Sequence, residues 1–316
     1  MIKKIIVFLL ILFASILVYP QETQELIVPE EPRTYTLLFV GDIMLDRGVR
    51  HMVEKHGQDY SFPFEKIKDI LDKGDLVFGN LESVISDKGR KIGSIYSFRA
   101  PPEAIKGLSS FNIVSLANNH AFDYDRDALE DTMKRLTERN ILYTGAGFNL
   151  EEAHSVKTIN LDETSIGFLA YTEFLYEYAW AQENRSGVSV LNQDNLIKDI
   201  VKAKQEVDFL IVSFHYGDEY QKTPNQNQRF LSELAINSGA DLIIGHHPHV
   251  TQLVEEYQGK YIAYSLGNFV FDQYFSEETM KGFILEVKLR DSKVIGVDKM
   301  HYQLNEFYQP EPLDKK

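Results

Sequence analysis

Residues 241–272 read DLIIGHHPHVTQLVEEYQGKYIAYSLGNFVFD. A buried-strand pattern ending at Ile244 delivers Gly245 and then His246, His247 and His249, so three of the chain's nine histidines fall within four positions. Such density asks for a chemical reason. The residue before a proline is biased toward extended backbone, where side chains two apart point the same way. Around Pro248 this predicts that His247 and His249 face one site and that His246 points elsewhere. Neutral imidazole is a common metal ligand, and two of them just past a strand make a plausible half of a coordination shell.

Working outward, four more apolar runs end in polar residues with ligand chemistry. Tyr35 to Val40 ends in Gly41 and Asp42; Asp75 to Phe78 ends in Gly79, Asn80, Leu81 and Glu82. Phe111 to Ala117 ends in Asn118, Asn119 and His120, and Val207 to Phe214 ends in His215. Helical patterns alternate with these runs, which predicts an α/β layer architecture whose site lies past the carboxyl ends of the strands. The expected helices are Pro63 to Leu71, Pro101 to Leu108, Asp123 to Arg139, Asn192 to Gln205 and Pro224 to Asn237, the last closed by Gly239. Val156 to Tyr171 predicts a hairpin about Asp162 to Thr164, crossing the middle of the fold. Strands are expected at Val250 to Tyr257, Lys260 to Leu266, Phe283 to Leu289 and Val294 to Tyr302. A sheet that begins parallel and ends antiparallel predicts a two-layer or sandwich core.

Composition narrows the chemistry. The chain of 316 residues is 44% hydrophobic and 25% charged, as globular proteins are, and it has no cysteine. Disulfides, zinc–thiolate sites and cysteine nucleophiles are excluded. A net charge of -14 without a basic stripe argues against a nucleic-acid partner. An acidic protein acting on an anion needs local cations, and bound metal ions are one source.

The N-terminus carries lysines at 3 and 4, then an apolar run from Ile5 to Tyr19. This predicts a signal peptide or an N-terminal membrane anchor at 1–20, and so an extracytoplasmic protein, secreted or held at the cytoplasmic membrane. Residues 21–33 read as a linker, 34–305 as one domain and 306–316 as a C-terminal tail.

The candidate metal ligands are Asp42, Glu82, Asn119, His215, His247 and His249. Carboxylate, amide and imidazole donors suit zinc, manganese or iron, as one ion or as two bridged by Glu82. His120 is a candidate general acid and Asp46 a candidate orienting group. Asn80, Asn118, His246 and Arg99 are candidate substrate contacts, and Arg47 and Lys281 are further cations for a carboxylate-rich ligand. Plainer roles exist for each: Asp42 and Asn80 suit helix caps, Asn118 and Asn119 a left-handed turn, and His215 a strand-end hydrogen bond. Capping does not need four histidines.

The blocks GDIMLDR, GNLES, ANNHAFDY, YTGAGFN, HYGDEYQ, GHHPHV and YSLGNFVFD resemble the bacterial CapA family, capsule-synthesis proteins associated with poly-γ-glutamate. The resemblance spans Thr34 to Leu289. That family is in turn similar to calcineurin-like metallophosphoesterases, with their D-x-H, GD, GNH, H and GH-x-H motifs. The resemblance implies a metallophosphoesterase-like sandwich of mixed sheets flanked by helices. It aligns Asp42 with the first aspartate, Asn119 and His120 with the GNH pair, His215 with the lone histidine, and His247 and His249 with the closing pair. Met44 stands where that pattern has a histidine, Asn80 where it has an aspartate, and Asn118 where it has a glycine. The implied role is in making, anchoring or exporting the polymer, within a membrane-bound capsule synthesis complex. It would act on an anionic polymer or small-molecule precursor as a metal-dependent hydrolase, as a non-catalytic polymer holder, or as a phosphodiesterase of envelope turnover.

Overall fold

In the strand Tyr35–Ile43, Leu37 and Phe39 face one way, Leu38 and Val40 the other, and all four are buried. A strand apolar on both faces needs a layer on each side. The computed structural model describes residues 33–92 and 95–313. The expected leader or anchor at 1–20 and all of the linker except Arg33 lie outside the described residues.

Tyr35–Ile43 sits inside an eight-stranded mixed sheet. On one side run Leu76–Leu81, Ile113–Ser115 and Leu142–Thr144, all parallel. On the other lie Lys281–Arg290, Lys293–Leu304 and Pro310–Pro312, all antiparallel, and Asn268–Val270 adds a parallel stub beside residues 42–43. A six-stranded sheet has the order Val254–Tyr257, Lys260–Ala263, Leu242–His246, Phe209–His215, Thr164–Thr172, Lys157–Leu161. Its four central strands are parallel and its two edges antiparallel.

The two sheets pack face to face. Leu37, Phe39 and Phe78 of the first meet Phe168, Ile211 and Ile244 of the second in one buried cluster, with the Phe78 and Phe168 rings stacked at 5.6 Å. Alternation sends Leu210, Val212 and Ile243 to the opposite face, under the helices Gln193–Ala203 and Gln226–Ser238. The outer face of the first sheet lies against Asp125–Glu138 through Leu129, Met133 and Leu136. The architecture is thus helix, sheet, sheet, helix, the mixed α/β sandwich the sequence predicted.

Three expectations change in detail, and one helix is additional to them. The Val156 to Tyr171 hairpin forms, but it makes the edge of the second sheet instead of crossing the middle of the fold, because its second strand joins the parallel set. Around Pro63 the helix is broken into a 3-10 turn, Phe62–Phe64, and a short helix, Lys68–Leu71. A helix at Arg47–Lys55 was not foreseen; its buried stripe is only Val49 and Val53. The tail expected at 306–316 is largely part of the domain. Asn305 Oδ1 accepts from Phe307 N and Gln309 N, which turns the chain back so that Pro310–Pro312 pairs with Lys293–Leu304.

Candidate metal centre at the strand ends

Parallel strands put their carboxyl ends on one edge of each sheet, and facing sheets bring two such edges together. Asp42 and Asn80 are register partners in the first sheet, and His215 and His246 are register partners in the second. Gly41 lets the backbone at Gly267 pass close beside its strand, since a Cβ there would stand 1.8 Å from Gly267 O. Gly245 does the same in the other sheet, where a Cβ would stand 2.0 Å from Tyr264 O.

Asp42 is the hub and is fully buried. Its Oδ1 accepts from Asn80 Nδ2 at 2.8 Å and lies 3.2 Å from His246 Nδ1. Its Oδ2 lies 3.4 Å from His249 Nδ1 and accepts from His247 N at 3.3 Å. Burial alone would push this carboxyl up, but the His246 and His249 contacts outweigh it and hold Asp42 well below the usual carboxylate range. Glu82 is also fully buried, and there burial, followed by the charge of Asp42, drives its carboxyl well above the usual range. Glu82 Oε1 has no hydrogen-bond partner. It lies 3.7 Å from both His120 Nε2 and His249 Nε2. A buried carboxylate oxygen without a donor is costly, unless a cation belongs beside it.

The imidazoles are held in defined tautomers. His249 Nδ1 donates to Asn268 Oδ1 at 2.9 Å, and Asn268 Nδ2 in turn donates to Thr279 O. Nε2 of His249 is thereby left as a lone pair facing Glu82, the usual orientation of a ligand histidine. His215 Nε2 donates to Asn119 Oδ1 at 2.8 Å, while Nδ1 accepts from Asn80 Nδ2 at 3.3 Å. Burial, then the neighbouring His247, lowers His215 well below the ordinary imidazole value, and burial with His249 lowers His247 to about 3. Both rings are therefore neutral near pH 7. His247 Nδ1 is buried and has no hydrogen-bond partner.

Two expectations about this segment are corrected. His247 and His249 converge, but not through extended backbone. The strand ends at His246, and the next residues bend, with φ of 96° at His247 and 58° at His249. Positive φ at a non-glycine residue costs on the order of 1–3 kcal/mol and persists only where surroundings enforce it. His246 does not point away. Leu242, Ile244 and His246 alternate onto the inner face of the second sheet, so His246 meets Asp42 across the sandwich and is 1% exposed.

Around the hub, Asn118 Nδ2 donates to Asn80 Oδ1 and Leu81 O, and its Oδ1 accepts from His120 N. Asn80 and Asn118 are thus buried as a brace, and His246 is buried with neither ring nitrogen hydrogen-bonded, a different place from the substrate contact expected of all three. His120 Nδ1 donates to Asp123 Oδ2 at 2.7 Å, and its ring stacks on Phe98 at 3.9 Å. Asp46 is drawn elsewhere. It precedes the helix Arg47–Lys55, and its Oδ2 accepts from Arg99 N at 2.8 Å. The Arg99 guanidinium lies over the Tyr124 ring at 4.1 Å and donates to Lys88 O, while Lys281 pairs with Glu277. Of the candidate cations, Arg47 comes nearest. Its guanidinium pairs with Asp272 and lies 4.6 Å from the centroid of Phe98, the ring stacked on His120.

Asp42, Glu82 and His249 offer ligand atoms within 4.8 Å of one another, and so do Glu219, His247 and His249. The donor set, with its unpartnered Glu82 and His247 atoms, fits a divalent transition ion. Glu219, Asn268, Asp123 and Phe98 were not singled out from the sequence. Asn268 and Glu219 lie inside the quoted blocks YSLGNFVFD and HYGDEYQ, and Asp123 lies three residues after His120, which was the available signal.

Comparison with known proteins places the chain in a family and its fold among known ones. A family model described as bacterial capsule synthesis protein PGA_cap matches residues 36–273. The capsule biosynthesis protein CapA of Bacillus anthracis is 33% identical over 313 residues, covering 96% of this chain and 75% of that protein. The PGA biosynthesis protein CapA of Bacillus subtilis (strain 168) is 35% identical over 240 residues, which covers 74% of this chain and 63% of that one. Among solved structures, a phosphatase from Mycoplasma pneumoniae shares the fold with a TM-score of 0.50 at 14% identity, over 86% of this chain and 95% of that chain. The NAD nucleotidase of Haemophilus influenzae does so with a TM-score of 0.50 at 10% identity, over 90% of this chain and 54% of that chain. The family model spans most of the described domain, and the anthracis relative is similar along nearly the whole chain, so this protein belongs to the PGA_cap family of bacterial capsule synthesis proteins.

Proposed function

We propose that this protein is a metal-dependent hydrolase of poly-glutamate capsule synthesis that acts outside the cytoplasm on the anionic polymer or its precursor. One observation carries the reading: fully buried Glu82 Oε1 and nearly buried His247 Nδ1 lack partners within a cluster of carboxylates, amides and neutral imidazoles. Asp42, Glu82, Asn119, His215, His247 and His249 would hold one or two manganese, zinc or iron ions. Such an ion, when bound, supplies positive charge for an anionic oxygen and acidifies water. Asn80 and Asn118 orient Asp42 and His215 through their amides. Asp123 fixes the His120 tautomer, which leaves Nε2 to carry a proton to the leaving group. The apolar stack of Phe98 on His120 excludes water from one face of that ring. The segment 1–20 would deliver the domain to the outer face of the membrane, alongside a membrane-bound synthesis complex.

The test is elemental analysis of the purified full chain, then poly-γ-glutamate chain length before and after incubation. One or two equivalents of a transition metal are expected. Polymer shortening should fall by about 10²–10⁴-fold in His120→Ala. Metal binding without shortening by wild type would leave a polymer-holding role, the reading favoured by Met44 and by the neutral amide at Asn80.

A further inference from the structure

We infer that Glu219 is a metal ligand, which with His247 and His249 forms an outer, solvent-facing position for a divalent transition ion. The inference rests on the metal-dependent reading above and adds to it a residue outside the phosphoesterase motif pattern. Ligand atoms of these three residues lie within 4.8 Å of one another. His247 is 6% exposed, and its Nδ1 has no hydrogen-bond partner, so one of the three residues carries a buried, unsatisfied nitrogen of the kind that ligates an ion.

The loop carrying Glu219 is built into place. Gly217 turns it with φ of 91°, and a Cβ there would meet the Gln228 side chain at 2.3 Å. Tyr220 N donates to Pro248 O at 2.8 Å, which ties the residue after Glu219 to the proline between the two histidines. Gln252 Nε2 donates to Gln221 O at 2.8 Å, a second tie one residue further on. Glu219 is therefore held beside the histidine bend by backbone on its C-terminal side, despite its exposure.

Chemistry elsewhere in the centre gives the position a purpose. Met44, which stands in place of a nitrogen ligand, is wholly buried in the apolar core. Asn80 presents its Nδ2 to Asp42 and gives its Oδ1 to Asn118, so it supplies no anionic oxygen. Glu219 returns the anionic oxygen that Asn80 lacks and adds a ligand where Met44 offers no nitrogen. Two imidazoles and one carboxylate leave coordination positions open. Since Asp42 and Glu82 are fully buried while Glu219 is exposed, the outer position is the one a carboxylate-rich polymer can reach.

Mn(II) titration of the full chain followed by electron paramagnetic resonance tests this, with Co(II) absorption as a second readout of coordination. Glu219→Gln should weaken at least one Mn(II) equivalent by tenfold or more and change the Co(II) bands, with the melting curve of the metal-free protein unchanged. Glu278→Gln, which alters an exposed carboxylate paired with Lys222, should bind as wild type does. If wild type binds Mn(II) and Glu219→Gln binds it equally, with the same Co(II) spectrum, the assignment is overturned while the metal reading stands. If wild type takes up no Mn(II), Co(II) or Zn(II), the metal reading fails and the assignment fails with it.

Discussion

At the residue scale, burial holds His215 and His247 in the protonation state a cation would want and Glu82 in the opposite one, its carboxyl driven above the usual range. His215 and His247 are neutral because burial opposes their charge. The consequence for stability has a definite sign. In the unfolded chain both take up protons as pH falls through about 6.5, whereas in the folded metal-free protein His247 does not until about 3. Between those values the unfolded state binds more protons, so stability present above pH 6.5 is lost on acidification, by up to about 1.4 kcal/mol per pH unit for each imidazole. Chemical denaturation of the metal-free protein from pH 7 to 5 should show that slope, and His247→Gln should flatten it; equal slopes would show that His247 titrates normally when folded. Residue identity was the most legible level, since Asp42, His120, His215, His247 and His249 could all be named from motif order. Orientation was not. That Asn80 offers Asp42 its nitrogen is fixed by Asn118 on its other side, a contact between a strand and the loop after its neighbour that spacing along the chain does not reveal.

At the scale of elements, strands and long helices were legible because their periodicities are strong, and bends were not. Proline at 248 favours extension of the residue before it, yet both flanking histidines have positive φ. Helix starts were better specified. Asn225 accepts from Gln228 N at 2.8 Å while Gln228 Oε1 accepts from Asn225 N at 3.0 Å, a reciprocal capping box. This cap also serves the site, because Gln228 packs against Gly217 and donates from Nε2 to Gln252 Oε1, and Gln252 holds the Glu219 loop. Asn225→Ala should cost about 1 kcal/mol of stability. Because the same turn supports Glu219, it should also loosen metal binding measurably, though less than Glu219→Gln does. Isothermal titration beside thermal melts separates the two effects, and unchanged affinity would mean that the cap and the loop are energetically independent.

For the whole molecule, the sandwich was legible in outline from strands apolar on both faces, yet the pairing of Asn268–Val270 with Tyr35–Ile43 was not. That pairing joins residues more than 200 apart in sequence and places Asn268 beside Asp42 and within reach of His249. Long-range register is set by which faces must be buried together, information spread over the chain rather than held in any block. The net charge of -14 is a second whole-molecule property, and it sets a constraint on the proposed partner. A polyanion approaching this surface is repelled until screening shortens the reach of the field, from about 30 Å at 0.01 M salt to about 10 Å at 0.1 M. Affinity of the metal-loaded protein for poly-γ-glutamate should therefore rise across that interval, opposite to the behaviour of a basic groove releasing counterions. Light scattering or fluorescence titration at fixed Mn(II) measures it directly. A steady fall in affinity with salt would mean that clustered cations, and not an ion held by imidazoles and carboxylates, dominate the approach of the polymer.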